Sequence, residues 1–198
     1  AANFDNRGKI DIQTGNLATG AMVIAASGTL DPRGKNSLNA NLLGTSGPVD
    51  FRWPLTEGEA RFLISGINLS LTGDAKASRL NASASLDSAM LPQATIGNVK
   101  LTAKSDNFNL AGRAGSVQIT LAAGDTSFVN PDINRAIQGP VTITLPLQIS
   151  PDALGFNGAT IESASATAAL NGSYKLSASA LTGNAKLTIQ PAALARLV

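Results

Sequence analysis

The 198-residue chain contains no cysteine and no histidine. The first absence excludes disulfides and thiolate nucleophiles, and the second excludes imidazole bases. Together they exclude His- or Cys-liganded zinc sites and histidine-dependent triads. Aromatic residues make up only 4% of the chain, too few to anchor the centre of an ordinary β-sandwich. Charged residues make up 14%, where about a quarter is usual. The net charge of +2 gives no argument for nucleic acid as a partner. No apolar run is long enough to span a membrane as a helix. The opening "AANFDNRGKID" lacks the basic-then-apolar order of a signal peptide.

Small and β-favouring residues fill the space: Ala, Gly, Ser, Thr and Asn dominate, and hydrophobic residues reach 43%. Their arrangement is alternation. In "GPVTITLPLQISPD" (139–152), Val141, Ile143, Leu145, Leu147 and Ile149 take every second position, with Thr142, Thr144, Pro146 and Gln148 between them. This is a strand with one apolar and one polar face. "KIDIQ", "SLNANLL", "VDFRWPL", "EARFLIS", "INLSL", "NVKLTAKS", "SVQITLAAG", "SASATAAL", "SYKLSASAL" and "NAKLTIQ" repeat the pattern. So does "AKASRLNASASL", with a phase shift near Arg79 that predicts a bulge. "ATGAMVIAAS" (18–27) reads as a buried strand in preference to a helix. Turn chemistry separates the runs, as in "DPRGK", "TSGP", "LTGD", "AAGDT", "LNGS" and "LTGN". About a dozen short-linked strands predict an antiparallel meander.

Helical signals are brief. "NPDINRAIQG" offers Asn130 as N-cap, Pro131 at the first helical position and Gly139 past the end, with Ile133, Ala136 and Ile137 on one face. "SPDALG" (150–155) predicts a single turn, and "QPAALARLV" a terminal helix with Ala193, Leu194, Leu197 and Val198 on one side. Residues 94–124 and 159–190 both open on "ATI" and offer a candidate weak internal repeat, with chance similarity of alternating Ala, Leu and Thr as the alternative.

Candidates for chemistry are sparse. Glu57 and Glu59 would share a face if extended, but two acids at a solvated strand end are the plainer reading. "DPRGKN" places Arg33 and Lys35 beside a glycine without the P-loop pattern, and reads as a turn. Trp53 reads as a core or sheet-edge anchor ahead of a ligand-stacking residue. No nucleophile-and-base pair is apparent, so no enzyme, metal or cofactor is expected.

An apolar sheet face must be covered. A second sheet would give a sandwich, stacked coils a solenoid, and a sheet bent into a U a groove lined by its own apolar face. The small-residue bias and Pro146, which needs an edge or a bulge, favour the third. The expectation is therefore an all-β chain: one elongated domain over 1–198, a long antiparallel meander bent into an open, U-shaped sheet with an apolar groove, plus a few short helices. The expected groove lining is Val99, Leu101, Ala103, Val117, Ile119, Leu121, Val141, Ile143, Leu145, Leu147, Ile149, Leu176, Leu187 and Ile189.

Strings such as "LSLTGDAKASRLNASASL", "LTAKSDNFNLAGRAG" and "AALNGSYKLSASALTGNAKLTIQPAALARL" resemble the periplasmic part of the TamB family, within the AsmA-like, bridge-like lipid transfer proteins of Gram-negative bacteria. The resemblance covers most of residues 55 to 198. It is one of texture and not of a motif. It implies an internal segment of a longer, inner-membrane-anchored protein that crosses the periplasm as a bent sheet, or β-taco. It further implies phospholipid acyl chains as cargo, a role in outer-membrane biogenesis, and an outer-membrane barrel partner of the Omp85 class. The family supplies no catalytic residue. A structural or adhesive solenoid or sandwich of a secreted or surface protein is the competing reading.

Overall fold

In the computed structural model, residues 2–5, 8–137 and 139–190 are described. The chain is all-β. Its strands are β1 (Ala2–Phe4), β2 (Ile10–Thr19), β3 (Met22–Leu30), β4 (Lys35–Gly44), β5 (Val49–Leu55), β6 (Gly58–Asp74) and β7 (Ala77–Leu91). They continue with β8 (Ala94–Phe108), β9 (Gly115–Ala123), β10 (Asp125–Phe128), β11 (Val141–Ile149), β12 (Ala153–Ser163), β13 (Ala166–Lys175) and β14 (Ala180–Ile189). A helix, α1 (Pro131–Ile137), separates β10 from β11. All 14 strands belong to one open sheet, ordered β1-β2-β3-β4-β6-β7-β8-β9-β11-β12-β13-β14. Every pairing is antiparallel.

The meander widens in the middle. "EARFLIS" and "INLSL" join into one strand of 17 residues, β6, and β7 and β8 have 15 residues each. Each flank of this block needs two short strands. On one side β4 pairs residues 67–74 of β6 and β5 pairs residues 58–64. On the other, β9 pairs residues 100–104 of β8 and β10 pairs residues 94–97.

The sheet has no second layer among the described residues, and the surface area reflects it. The chain exposes 12114 Å², against about 8,700 Å² for a compact monomer of its mass. Ten hydrophobic residues among those described are buried, and six of them are alanines: Ala60, Ala75, Ala89, Ala94, Ala123 and Ala159. Side-to-side packing within one sheet encloses a methyl group readily, while most leucines stay partly in water and Leu71, at 5% exposure, is an exception.

Several local expectations hold. The shift near Arg79 is a register irregularity between Ser78 and Leu80. Residues 18–27 are extended, with only the turn at Gly20 and Ala21 interrupting them, although they are partly exposed and not buried. Asn130 caps α1, its Oδ1 accepting from the Asp132 and Ile133 amides at 2.9 and 3.1 Å. Gly139 follows at φ +104°. The "DPRGKN" segment is a turn, with the Asp31 carboxylate accepting from the Arg33 amide at 2.9 Å.

Others are corrected. Residues 150–155 form no helical turn: they make a tight hairpin in which the Ser150 amide donates to the Ala153 carbonyl at 2.9 Å and β12 starts at once. Glu57 and Glu59 instead follow the plainer reading of a solvated strand end: Glu57 lies exposed in the turn before β6, and the exposed Glu59 carboxylate pairs with Arg52 at 3.4 Å. The stretches opening at 94 and 159 differ in structure. The first is one strand to Phe108, while the second breaks at 164–165 between β12 and β13. The terminal helix expected over 190–198 lies outside the described residues.

Pro146 is the informative case. β11 is a central strand, in register with β9 throughout, so Pro146 is not on an edge. Its imide nitrogen is accommodated on the β12 side, where pairing jumps from Thr144↔Thr160 to Leu147↔Phe156. The extra residue belongs to β12 at Gly158, which sits at φ +74° and donates its amide to the Asn171 side chain at 2.7 Å. A strand that bulges away from Pro146 needs no donor from it.

Candidate functional site

The register builds a site out of rows that run across the strands. One row is Leu17, Ile24, Leu42, Ile67, Ala84, Leu101, Leu121, Ile143, Ile161, Ala168 and Leu187, each paired with the next. All eleven are apolar. At the usual strand spacing of roughly 4.8 Å, the row is about 48 Å long. A parallel row contains Ala26, Ala40, Leu69, Ala82, Ala103, Ile119 and Leu145. Beyond it, Val117 pairs Leu147, and Leu147 pairs Phe156.

Of the expected lining residues, Val99, Leu101, Ala103, Val117, Ile119, Leu121, Val141, Ile143, Leu145, Leu147 and Ile149 fall on this one face, as do Leu187 and Ile189. Val99 and Val117 are each 6% exposed, whereas Leu187 is 63% exposed. Leu176 is displaced: β13 ends at Lys175, and Leu176 begins the turn that Ser179 closes at φ +49°. The alternation of "SYKLSASAL" therefore does not continue as strand. Sequence reasoning missed the first half of the row (Leu17, Ile24, Leu42, Ile67 and Ala84), although its alternation was present in the strings for β2 to β7. It also missed an aromatic group. Phe51 lies 6.2 Å from Trp53 and 6.3 Å from Phe62, ring centre to ring centre. Trp53 is 57% exposed, a sheet-edge position on β5.

The opposite face is hydrophilic. Behind the aromatic group, the Asp50 carboxylate accepts from Arg61 at 2.8 and 3.1 Å, with Arg52 at 3.4 Å. The Arg61 hydrogen bond holds the Asp50 carboxyl below its ordinary pKa. The Asp11 carboxyl is likewise held low, first by Lys9 and then by the Thr29 hydroxyl. Asn41, Asn68, Ser83, Thr102, Thr120, Thr144 and Thr160 form a continuous polar row one residue out of phase with the apolar one.

One cavity, about 540 Å³, is lined by hydrophilic-face residues of β2, β3, β4, β6, β7 and β8 together with Ala26, Ala40, Leu69 and Ala82 of the second apolar row. None of the expected lining residues borders it. Among the described residues no second layer packs over the apolar face. No cluster of metal-ligating side chains occurs among the described residues, and no helix there is long and apolar enough to cross a membrane. No family model, curated protein or solved structure matches the chain.

Proposed function

We propose that the chain is a non-enzymatic, lipid-shielding segment of a TamB-like periplasmic bridge. In this reading its apolar face is covered by phospholipid acyl chains in transit between inner and outer membrane. The role supports outer-membrane biogenesis, with an Omp85-class barrel as the distant partner. The observation that carries the reading is the eleven-residue apolar row, which crosses eleven strands without a charged or polar interruption and has no protein layer over it among the described residues. Each acyl methylene taken out of water on such a surface contributes about 0.8 kcal/mol. Apolar contact has no preferred direction. A row of equivalent Leu, Ile and Ala side chains therefore holds a chain without fixing its position, which is what movement along the sheet requires. The competing sandwich or solenoid needs a covering layer, and the described residues supply none.

The test is a lipid extract of the purified chain, analysed by mass spectrometry, followed by acyl-probe uptake after delipidation. Near-stoichiometric phospholipid and saturable uptake are expected. A chain that purifies without lipid and never takes up the probe ends the proposal.

A further inference from the structure

The hydrophilic face carries the cavity, and lipid shielding gives it no role. Two adjacent polar rows line it. One includes Asn16, Asn41, Asn68, Ser83 and Thr102, and the other Ser27, Asn39, Ser70, Asn81 and Lys104. The row between them, Ala26, Ala40, Leu69 and Ala82, turns its side chains to the other face and leaves main chain as the floor. The trough crosses six strands, about 24 Å at the usual strand spacing, and its volume falls within the range of small-molecule sites.

The lining has a distinct chemistry. Five asparagines, three serines and two threonines border the trough, with Lys104 as the one charged group and no carboxylate. The asparagine amides make no hydrogen bond to other described side chains or main chain at positions 16, 39, 41, 68 and 81. Each amide offers a donor and an acceptor side by side. That pairing suits vicinal hydroxyl groups, each of which also donates and accepts. A carboxylate-free wall with one cation does not select a cationic ligand, and a single lysine is too little for a polyanion. The open mouth admits an extended chain, and the strand spacing presents one polar group at about each sugar repeat.

From this lining we infer that the trough binds a neutral oligosaccharide lying across strands β2 to β8. The inference concerns the face opposite to the lipid surface and stands independently of it. The two faces of the same strands would then hold a lipid chain and a glycan chain back to back.

The experiment follows the side-chain amide signals of the 15N-labelled full chain by NMR during titration with cellohexaose, maltohexaose and chitohexaose, each taken into the millimolar range. At least one sugar is expected to shift the amides of Asn39, Asn41, Asn68 and Asn81 saturably. Asn68→Ala and Asn81→Ala should each weaken that binding at least fivefold. Thr144→Ala, on the same face outside the trough, and Leu121→Ala, on the other face, should change it less than twofold. Lys104→Gln should retain binding. The inference is overturned if all three sugars leave these amides unmoved, or if the asparagine variants bind as the parent does. Tighter binding of an oligogalacturonate, abolished by Lys104→Gln, overturns the neutral assignment.

Discussion

Leu145 and Thr144 are adjacent in β11, both partly buried, and point to opposite faces. Leu145 pairs Ile119 in the apolar series, while Thr144 pairs Thr120 and Thr160 in the polar row. Arginine at each position therefore asks what each face meets. Full burial of a leucine is worth roughly 1.5–3 kcal/mol. Leu145 is only partly buried, and the arginine stem recovers some contact while its head reaches water. In lipid-free protein Leu145→Arg should thus cost about 1 kcal/mol, and Thr144→Arg less than about 0.5 kcal/mol. With lipid the gap widens. A guanidinium at 145 keeps its water and denies the face to about four methylenes, or about 3 kcal/mol. That is somewhat more than a hundredfold in occupancy. Urea midpoints measure the first difference, and phospholipid retained per chain, by mass spectrometry, measures the second. Equal lipid loss in both variants, or none in either, would refute the assignment of the apolar face as the lipid surface.

Three further outcomes are expected. Asp50 has a lowered folded-state pKa, so its pairing with Arg61 contributes stability above the ordinary value of 3.8 that is lost as pH falls through the folded value. Asp50→Asn should flatten the acid limb of a stability–pH profile by lowering the neutral plateau toward the acid value; an unchanged acid limb would count against the pair. Asn130→Ala should cost about 1 kcal/mol, seen as faster hydrogen exchange confined to α1. Gly28 sits at φ +110°, where an added Cβ would lie 1.7 Å from the Ser37 carbonyl oxygen. Gly28→Ala should therefore cost more than about 3 kcal/mol, while Gly47→Ala, with nothing within 4 Å at φ +130°, should cost only about 1–2 kcal/mol of backbone strain. Thermal melts of the two variants check the ranking.

The strand pattern was legible because one sheet with two unlike faces writes its period directly into the sequence. Val141 to Ile149 could be assigned to a face without any knowledge of neighbours. What alternation cannot encode is which strand lies beside which, or how far a strand runs. β6 hides a break in its own period between Ile64 and Ile67 and so reads as two strands. Leu176 keeps the period but has left the strand, because the turn to β14 depends on Ser179 adopting φ +49°, and a serine gives little warning of that. The polar trough was illegible for a different reason. Its asparagines are spread over β2, β4, β6 and β7 and meet only through register. Each alone looks like the solvated half of a strand.

Register also explains how so wide a sheet keeps its faces apart. A single inserted residue in one strand sends everything beyond it to the wrong side. In the central block the apolar series steps by three instead of two in each of three neighbours: Ile64 to Ile67, Leu86 to Ala89, and Ile96 to Val99. The β7 and β8 steps fall on one line, and the β6 step lies one residue pair away, between the Ile64↔Leu86 and Ile67↔Ala84 pairs. Ile64 pairs Leu86 and Leu86 pairs Val99, while beyond the line Phe62 pairs Ala89 and Ala89 pairs Ile96. Apolar residues thus meet apolar residues on both sides of the break. The irregular residues at the line are polar and tied to one another, Ser65 to Asp87 and Asn98 to Asp125, with Asn98 at φ +52°. The offsets at Ser65 of β6 and Asp87 of β7 cancel, so the register is the same on both sides of the break. Those cancelling offsets let the apolar surface extend from the long rows into the Phe51, Trp53 and Phe62 group.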